Sequence, residues 1–398
     1  MNASEPLTAL LILVLSLAAV GVILLYTGLI KVWIAFAKRD DNYDIIHEPF
    51  IEIIVPVKGA NQNQRIALLS LLKQDYSSYS VTLVVESEDD PASAVVDKIC
   101  GEDTKARKLI AGFAKRCGQK NHNLVYALNR LKPETEIVVF CDSTNVASPQ
   151  WLARFTASLR TGNNDVVTTF RRFFPRPQNI PGVCQTMYGV VVLLLASVAP
   201  KPWGGGTAIR RDILDKLPLK ETWSKTVVDD LVLGNILRRA GIKVFLDAKN
   251  LLSSPLNDHS LSSFFGYLDR QIMFPKFTNN EMWGTLLVLY VNLSIAVPLA
   301  LWETAWFILR GGSDWPIHYV CVGLVGTMMI LVLCVRRLVT PHISLVVWLL
   351  SLLPLLFIGA FIFLRSVTRG FIDWHGKRYW CGNEGVVERV EDINYTSV

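Results

Sequence analysis

The chain has 398 residues, of which 51% are hydrophobic, with a formal net charge of +6 and a mean hydropathy of +0.34. Both apolar figures are high for a soluble protein, so membrane segments are sought first. The excess positive charge suits a membrane protein drawn to anionic lipid; it forms no cluster with an RNA or DNA motif, so no nucleic-acid partner is expected.

Residues 7–30 carry no charge over 24 positions, and about 20 suffice to cross a hydrocarbon core. The run is too long for the apolar part of a signal peptide and no small-residue cleavage site follows, so residues 1–38 read as a retained anchor. Lys31, Lys38 and Arg39 follow it, and no Lys or Arg precedes it. That asymmetry places the next segment, residues 39–281, in the cytoplasm.

Within that segment "FIEIIVPVKG" (50–59) reads as a strand broken at Pro56 and Gly59, and Ile66, Leu69 and Leu72 have helical spacing. "SVTLVVESEDDP" is a second strand ending in acids, "ASAVVDKIC" a helix, and "RKLIAG" a third strand. "KNHNLVYALNRL" is a helix, "EIVVFCD" a fourth strand, and "SPQWLARFTASL" a helix capped by Ser148. Alternation at this spacing predicts βαβ units and a mostly parallel, doubly wound sheet. Residues 181–200 are apolar and bounded by prolines; they suit an interfacial helix that admits a lipid, or a buried core helix.

A second membrane region, residues 282–366, holds apolar runs at 283–309, 315–335 and 343–364, and a tail follows at 367–398. Arg336 and Arg337 agree with a cytoplasmic domain if all three runs cross. Three crossings, however, send Arg365, Arg369, Lys377 and Arg378 to the far side, whereas one interfacial or re-entrant run keeps them with the domain. The sequence leaves both open. Seven cysteines show no metal spacing, and a reducing compartment predicts free thiols.

Ligands of such sheets bind beyond the carboxyl ends of the strands. Lys58, Asp89, Asp90 and Asp142 all stand there, either as separate turn residues or as one converging pocket. Asp142 ends an apolar strand and is the best candidate to hold a divalent ion, Mg2+ or Mn2+. Lys58 and Lys120 are candidate contacts for a charged ligand, or plain surface lysines. Asp229 and Asp230 open an amphipathic helix, where carboxylates offset the dipole or where one acts as a base on an acceptor hydroxyl. "WGGGTAIRRDIL" lets backbone approach a ligand at Gly205, with Trp203 free to stack on a sugar or lipid head; a mere tight loop reads equally well.

Several stretches taken in order resemble the ceramide glucosyltransferase family, membrane-bound inverting glycosyltransferases with a GT-A fold. They are "VPVKG", "DYSSYSVTLVVESEDDPA", "GQKNHNLVYAL", "VVFCDS", "TVVDDLVLGNILRRAGIKV" and "DWHGKRYW", between residues 50 and 381. The resemblance implies a GT-A-like doubly wound mixed sheet, an N-terminal transmembrane helix and a C-terminal transmembrane bundle. It also implies transfer of a hexose, glucose from UDP-glucose, to a membrane lipid hydroxyl at the bilayer, with Asp230 as base. Arg210 and Arg211 resemble an Arg-Arg pair that precedes the base in this group. With that donor, Asp89 and Asp90 would hold uracil or ribose, and Lys58 and Lys120 would contact uridine or phosphate. His259, a lone histidine of the kind more often structural, would touch phosphate or acceptor beside Trp203, Gly205 and Asp229.

Three departures stand out. Thr144 replaces a usual second acid, so a metal would rely more on diphosphate and water; His375 stands where Arg is usual. In "RQIMF", Arg270 survives as a diphosphate clamp, while Met273 and Phe274 replace Arg and Trp, with Lys276 near enough in sequence to restore the lost charge. A polysaccharide synthase and a non-catalytic lipid-binding subunit are the alternatives. The acceptor stays open among ceramide, diacylglycerol and polyprenoid or hopanoid alcohols.

Overall fold

A computed structural model describes residues 4–38, 48–59, 61, 63–257, 259–312 and 316–393; Arg39 lies outside them. Strands β1 (Phe50–Pro56), β2 (Tyr79–Val85), β3 (Ala106–Ile110) and β4 (Thr135–Cys141) pair in parallel. β1 and β2 are buried along almost their whole length rather than at alternate residues because helices cover both faces of the sheet. Four more strands complete the architecture on this side: β5 (Val166–Thr168), β6 (Arg171–Arg176), β7 (Gly206–Arg210) and β8 (Val244–Leu246). The seven-stranded order is β3-β2-β1-β4-β7-β5-β8, with β7 antiparallel to both neighbours. β6 leaves this sheet and forms a parallel ribbon with β9 (Leu252–Asn257).

One acidic side chain of β1 sits inside the sheet. Glu52 on β1 is fully buried, and Arg107, Thr82, Thr135 and the Lys132 amide all donate to it. Such saturation is what makes a buried carboxylate tolerable.

The helices of the first half are α1 (Ser4–Ala37), α2 (Gln64–Leu72), α3 (Pro91–Glu102), α4 (Gln119–Leu128), α5 (Trp151–Phe155) and α6 (Ala157–Arg160). Ser148 does not cap the expected helix. Its carbonyl is taken by Trp151 N and the Gln74 amide, and Gln74 Oε1 instead accepts from Leu152 N at 2.8 Å. A side chain from α2's C-terminal side, 78 residues away, thus supplies the cap that sequence assigned locally.

Next come α7 (Ile180–Val198), α8 (Arg211–Leu214), α9 (Leu219–Trp223), α10 (Asp230–Arg239), α11 (Leu261–Thr278), α12 (Asn280–Leu309), α13 (Pro316–Val339), α14 (Leu345–Leu350) and α15 (Leu352–Ser366). Among the described residues five apolar helical segments are long enough to cross a membrane, those of α1, α7, α12, α13 and α14–α15. They differ in attachment. α1, α12 and α13 pack on one another at one end through Leu15, Ala18, Val22, Ala296, Ala300, Ile317, Cys321 and Leu324, while α1 also runs along α7 and α12 along α15.

α7 and α14–α15 are instead fastened to the globular part at both ends. Asn179, at the start of α7, donates to the His259 carbonyl, and the far end runs directly into Trp203. Ser344 N donates to Gln178 at the start of α14, and Lys276 takes the carbonyls of Ser366, Val367 and Arg369 at the end of α15. Lys276 therefore caps a helix and does not line the site, contrary to its expected role. The tail forms an antiparallel meander, β10 (Phe371–Trp374), β11 (Lys377–Cys381) and β12 (Val387–Asp392), bridged to the domain between Thr226 and Val386. All seven cysteines are free thiols, as expected.

Candidate active site

A cavity of about 730 Å³ opens at the carboxyl ends of β1 and β4. Lys58, Lys120, Asp142, Trp203, Gly205, Asp229, Asp230, His259 and Arg270 all line it. Asp89 and Asp90 line a second pocket of about 630 Å³, which shares Lys58, Asn61 and His375 with the first. The residues expected in one pocket thus divide between two adjoining ones.

Asp142 leaves the end of β4 and accepts from Lys120 Nζ at 2.8 Å. The same ammonium lies 2.8 Å from Asp229 Oδ2 and 3.3 Å from the Gly204 carbonyl. Burial opposes its charge, yet the two carboxylates hold Lys120 above the ordinary lysine range. Lys120 is therefore a fixed cation that clamps the first turn of α4 to both acids, not a surface lysine.

The loop 203–206 must come unusually close to make this contact. A Cβ on Gly204 would stand 2.1 Å from Asp229 Oδ2 and 2.8 Å from Lys120 Nζ; one on Gly205 would strike the Trp203 ring. Gly204 is required by approach to Asp229 and Lys120, and Gly205 by the Trp203 ring. Arg210 and Arg211 take no part: they pair with Asp165 and Asp212 and with Asp215 at the surface.

The acid pair at α10 is not a cap. Asp229 makes no side-chain cap, and its carboxylate turns to Lys120. Asp230 accepts from Gly204 N through Oδ2 at 3.1 Å and from Leu231 N through Oδ1 at 2.7 Å. Burial and then the neighbouring Asp229 push its pKa up to about 6, against the pull of Lys120 and the two amides. A carboxylate so placed is ionised at neutral pH yet a better proton acceptor than an ordinary aspartate.

Lys58 pairs with Glu86 at 2.5 Å. Asp90 Oδ1 accepts from Gly59 N and Ala92 N, each at 2.8 Å, so it ties the β1 exit loop to the start of α3. Asp89 is exposed at the pocket rim. His259 is held neutral by burial, and its Nε2 has no partner.

Position alone could not reveal several wall residues. The β10–β11 turn carries His375 and Gly376 at φ 49° and 76°, the left-handed pair that a two-residue hairpin turn needs. It presents His375 and Lys377 to the cavity. Burial, Lys58 and Arg270 press His375 down to about 4, with Asp90 opposing, so it is a neutral imidazole among cations. Arg171 lies over the rings of Phe173, Trp203 and Tyr267 at 4.8–5.6 Å, and its Nε lacks a partner. Gln185 of α7 is 4% exposed and its Oε1 is also unpartnered. A lone amide inside a helix as apolar as α7 was the one available signal; Arg171 offered none. In the altered motif Met273 is fully buried in the core, and Phe274 reaches the cavity against Trp374.

A divalent ion fits this wall as a shared ligand. Asp142 has the carboxylate oxygen that Lys120 leaves free, and Ser143 and Thr144 line the cavity beside it. Among the described residues no three His, Cys, Asp or Glu are placed to hold one ion together, so the rest of an oxygen shell would come from diphosphate and water.

The profile of Glycosyl transferase family 21 matches residues 13–387. A mannosyltransferase from Pyrobaculum calidifontis, solved with GDP-Man and Mn2+, is 16% identical over 88% of this chain and 99% of its own, with a TM-score of 0.51. Glucosyl-3-phosphoglycerate synthase from Mycobacterium tuberculosis, solved with Mn2+, UDP-Glc and phosphoglyceric acid, is 15% identical over 56% and 78%, with a TM-score of 0.36. The first likeness bears out the expected GT-A-like fold.

Proposed function

The chain belongs to glycosyl transferase family 21, the ceramide glucosyltransferase family, and we propose that it transfers glucose from UDP-glucose to a lipid hydroxyl with inversion. The observation that carries this reading is the position of Asp230. It is a buried carboxylate of raised pKa, fixed by two amides, in the cavity that holds the Lys120–Asp142 pair.

Asp230 receives the acceptor proton as the hydroxyl oxygen attacks the anomeric carbon from the face opposite the leaving diphosphate. Lys120 keeps Asp142 and Asp229 in place, and Asp229 raises the basicity of Asp230. Lys58, Arg270 and Lys377 bring positive charge to the wall where a diphosphate would develop charge. Asp142 would hold a divalent ion, which supplies Lewis-acid neutralisation of the leaving group when bound. Asp89 and Asp90 edge the adjoining pocket, which suits the uridine. Trp203, Gly205, Asp229 and His259, with Arg171 and Gln185, form the wall toward α7 and α11, which suits the acceptor head.

In this reading α1, α12 and α13 cross the bilayer, while α7 and α14–α15 lie along its cytoplasmic face. That arrangement keeps Lys31, Lys38, Arg336, Arg337, Arg365 and Arg369 on one side, as the asymmetry of basic residues requires. Purified protein given UDP-glucose, Mn2+ and lipid alcohols tests the activity. UDP release that needs both metal and lipid supports the proposal. Release without lipid, or a lengthening polymer, points to the synthase alternative, and no release with any acceptor to the non-catalytic one.

A further inference from the structure

β6 has two faces. Arg171 and Phe173 line the cavity, so Arg172, Phe174 and the exposed Arg176 belong to the opposite face. There the Phe174 ring stacks on His342 at 4.4 Å with 20° between planes, and the Arg172 guanidinium lies 5.3 Å above Phe174. His342 belongs to residues 340–344, the connection between α13 and α14, whose near end carries Arg336 and Arg337. Gln178 fixes this corner by donating to the His342 carbonyl and accepting from Ser344 N.

The corner gathers several cations, Arg172 and Arg176 from β6 and Arg336 and Arg337 from α13. Among the described residues no carboxylate pairs with Arg172 or Arg176. Arg172 Nε is buried without a hydrogen-bond partner, and so is Thr340 Oγ1, on a fully buried residue of the same connection. Burial and then the charges of Arg172 and Arg176 hold the His342 ring below its usual value, which sets all three side chains in one field. Basic residues that merely flank a membrane helix sit on its mobile ends and reach for water. Arg172 is instead fixed in a ribbon, stacked and half-buried, with an N–H left unmade. A guanidinium in that state is costly unless an anion completes it.

We infer that the corner between β6 and residues 340–344 binds the phosphate of an anionic membrane phospholipid. It stands where the apolar surface of α13 ends and that of α14 begins, which is where a phosphate layer would meet a chain embedded through those helices. A free phosphate shares the chemistry but would have no reason to favour this boundary.

The test uses the full chain in neutral detergent, with bound lipid counted by native mass spectrometry. Phosphatidylglycerol, phosphatidylcholine and inorganic phosphate are titrated in separate arms. Phosphatidylglycerol is expected to be retained over phosphatidylcholine, and Arg172→Gln or Arg176→Gln each to weaken that retention roughly fivefold, as the loss of one surface cation implies. Arg172→Lys should keep part of it. Arg310→Gln, at the opposite end of the α12–α13 hairpin, should change nothing. Arg176 is exposed, so its variant keeps the test alive if Arg172 variants misfold. Equal retention of the two lipids, equal loss with Arg310→Gln, or saturation by inorganic phosphate alone would overturn the inference.

Discussion

Asp230 has two effects that oppose each other. Its raised pKa makes it a base matched to neutral pH, but a buried acid above its ordinary range lowers the stability of the fold. The folded state binds the proton more tightly than the unfolded one, so stability falls as pH rises from about 4 to about 6 and stays lower above that window. Asp230→Asn should therefore stabilise the fold at neutral pH by on the order of 1 kcal/mol, seen as a higher unfolding midpoint, while turnover drops on the order of 10²–10⁴-fold. Differential scanning fluorimetry and UDP release measure the two on one preparation. Wild-type turnover should also rise with pH through about 6 and then level. A flat profile across that range would remove Asp230 as the base. Gly204→Ala tests the same pair sterically. Its Cβ would displace Asp229 or Lys120, so a loss of roughly 100-fold in turnover is expected, the size that misplacement by about 1 Å produces. Lys120→Met removes the ammonium from between two acids and should cost about 3–5 kcal/mol in chemical denaturation, because each carboxylate loses its counter-charge.

Lys276 shows what element-scale contacts do. Its ammonium takes three carbonyls where α15 ends, and beyond that end Arg369 pairs with Asp269 and Asp373 before β10 begins. This joint sets the height of the hairpin that carries His375 and Lys377 into the cavity. Lys276→Met leaves those carbonyls unmet at about 1–3 kcal/mol. UDP-sugar affinity by calorimetry should weaken with it, though no residue of the donor pocket has changed; unaltered affinity would separate the hairpin from donor binding. The joint also explains which elements could be read beforehand. β1 to β4 and the helices between them announce themselves by local pattern, and so did the acids at their ends. The β6–β9 ribbon has no periodicity of its own, and α5 takes its cap from Gln74 rather than Ser148. Met273 looked like a lost binding residue, yet it faces the core, while the polar wall is completed by Lys377 and His375 from more than 100 positions later. Contacts of that span leave no trace in neighbouring residues.

Across the whole molecule the unresolved question of the sequence was the side on which the tail lies. Both ends of the α14–α15 segment are fixed to the globular part, and so are both ends of α7, whereas α1, α12 and α13 pack on one another at one end. A segment held at both ends by one domain cannot put that domain and the tail on opposite faces of a bilayer. On the proposed reading three helices then cross, and the basic residues after α1, α13 and α15 fall together. Two apolar helices lying beside the cavity would also give a lipid hydroxyl a way to the site from within the membrane. That consequence can be checked without any activity assay. In a Cys334→Ser background, single cysteines replace Glu134 on the domain, Glu388 on the tail and Arg310 at the α12–α13 turn, all exposed. A membrane-impermeant thiol reagent added to oriented vesicles should reach Glu134→Cys and Glu388→Cys from one side and Arg310→Cys from the other. Labelling of Glu388→Cys together with Arg310→Cys would mean that α14–α15 crosses after all, and that the route for a lipid must be sought elsewhere.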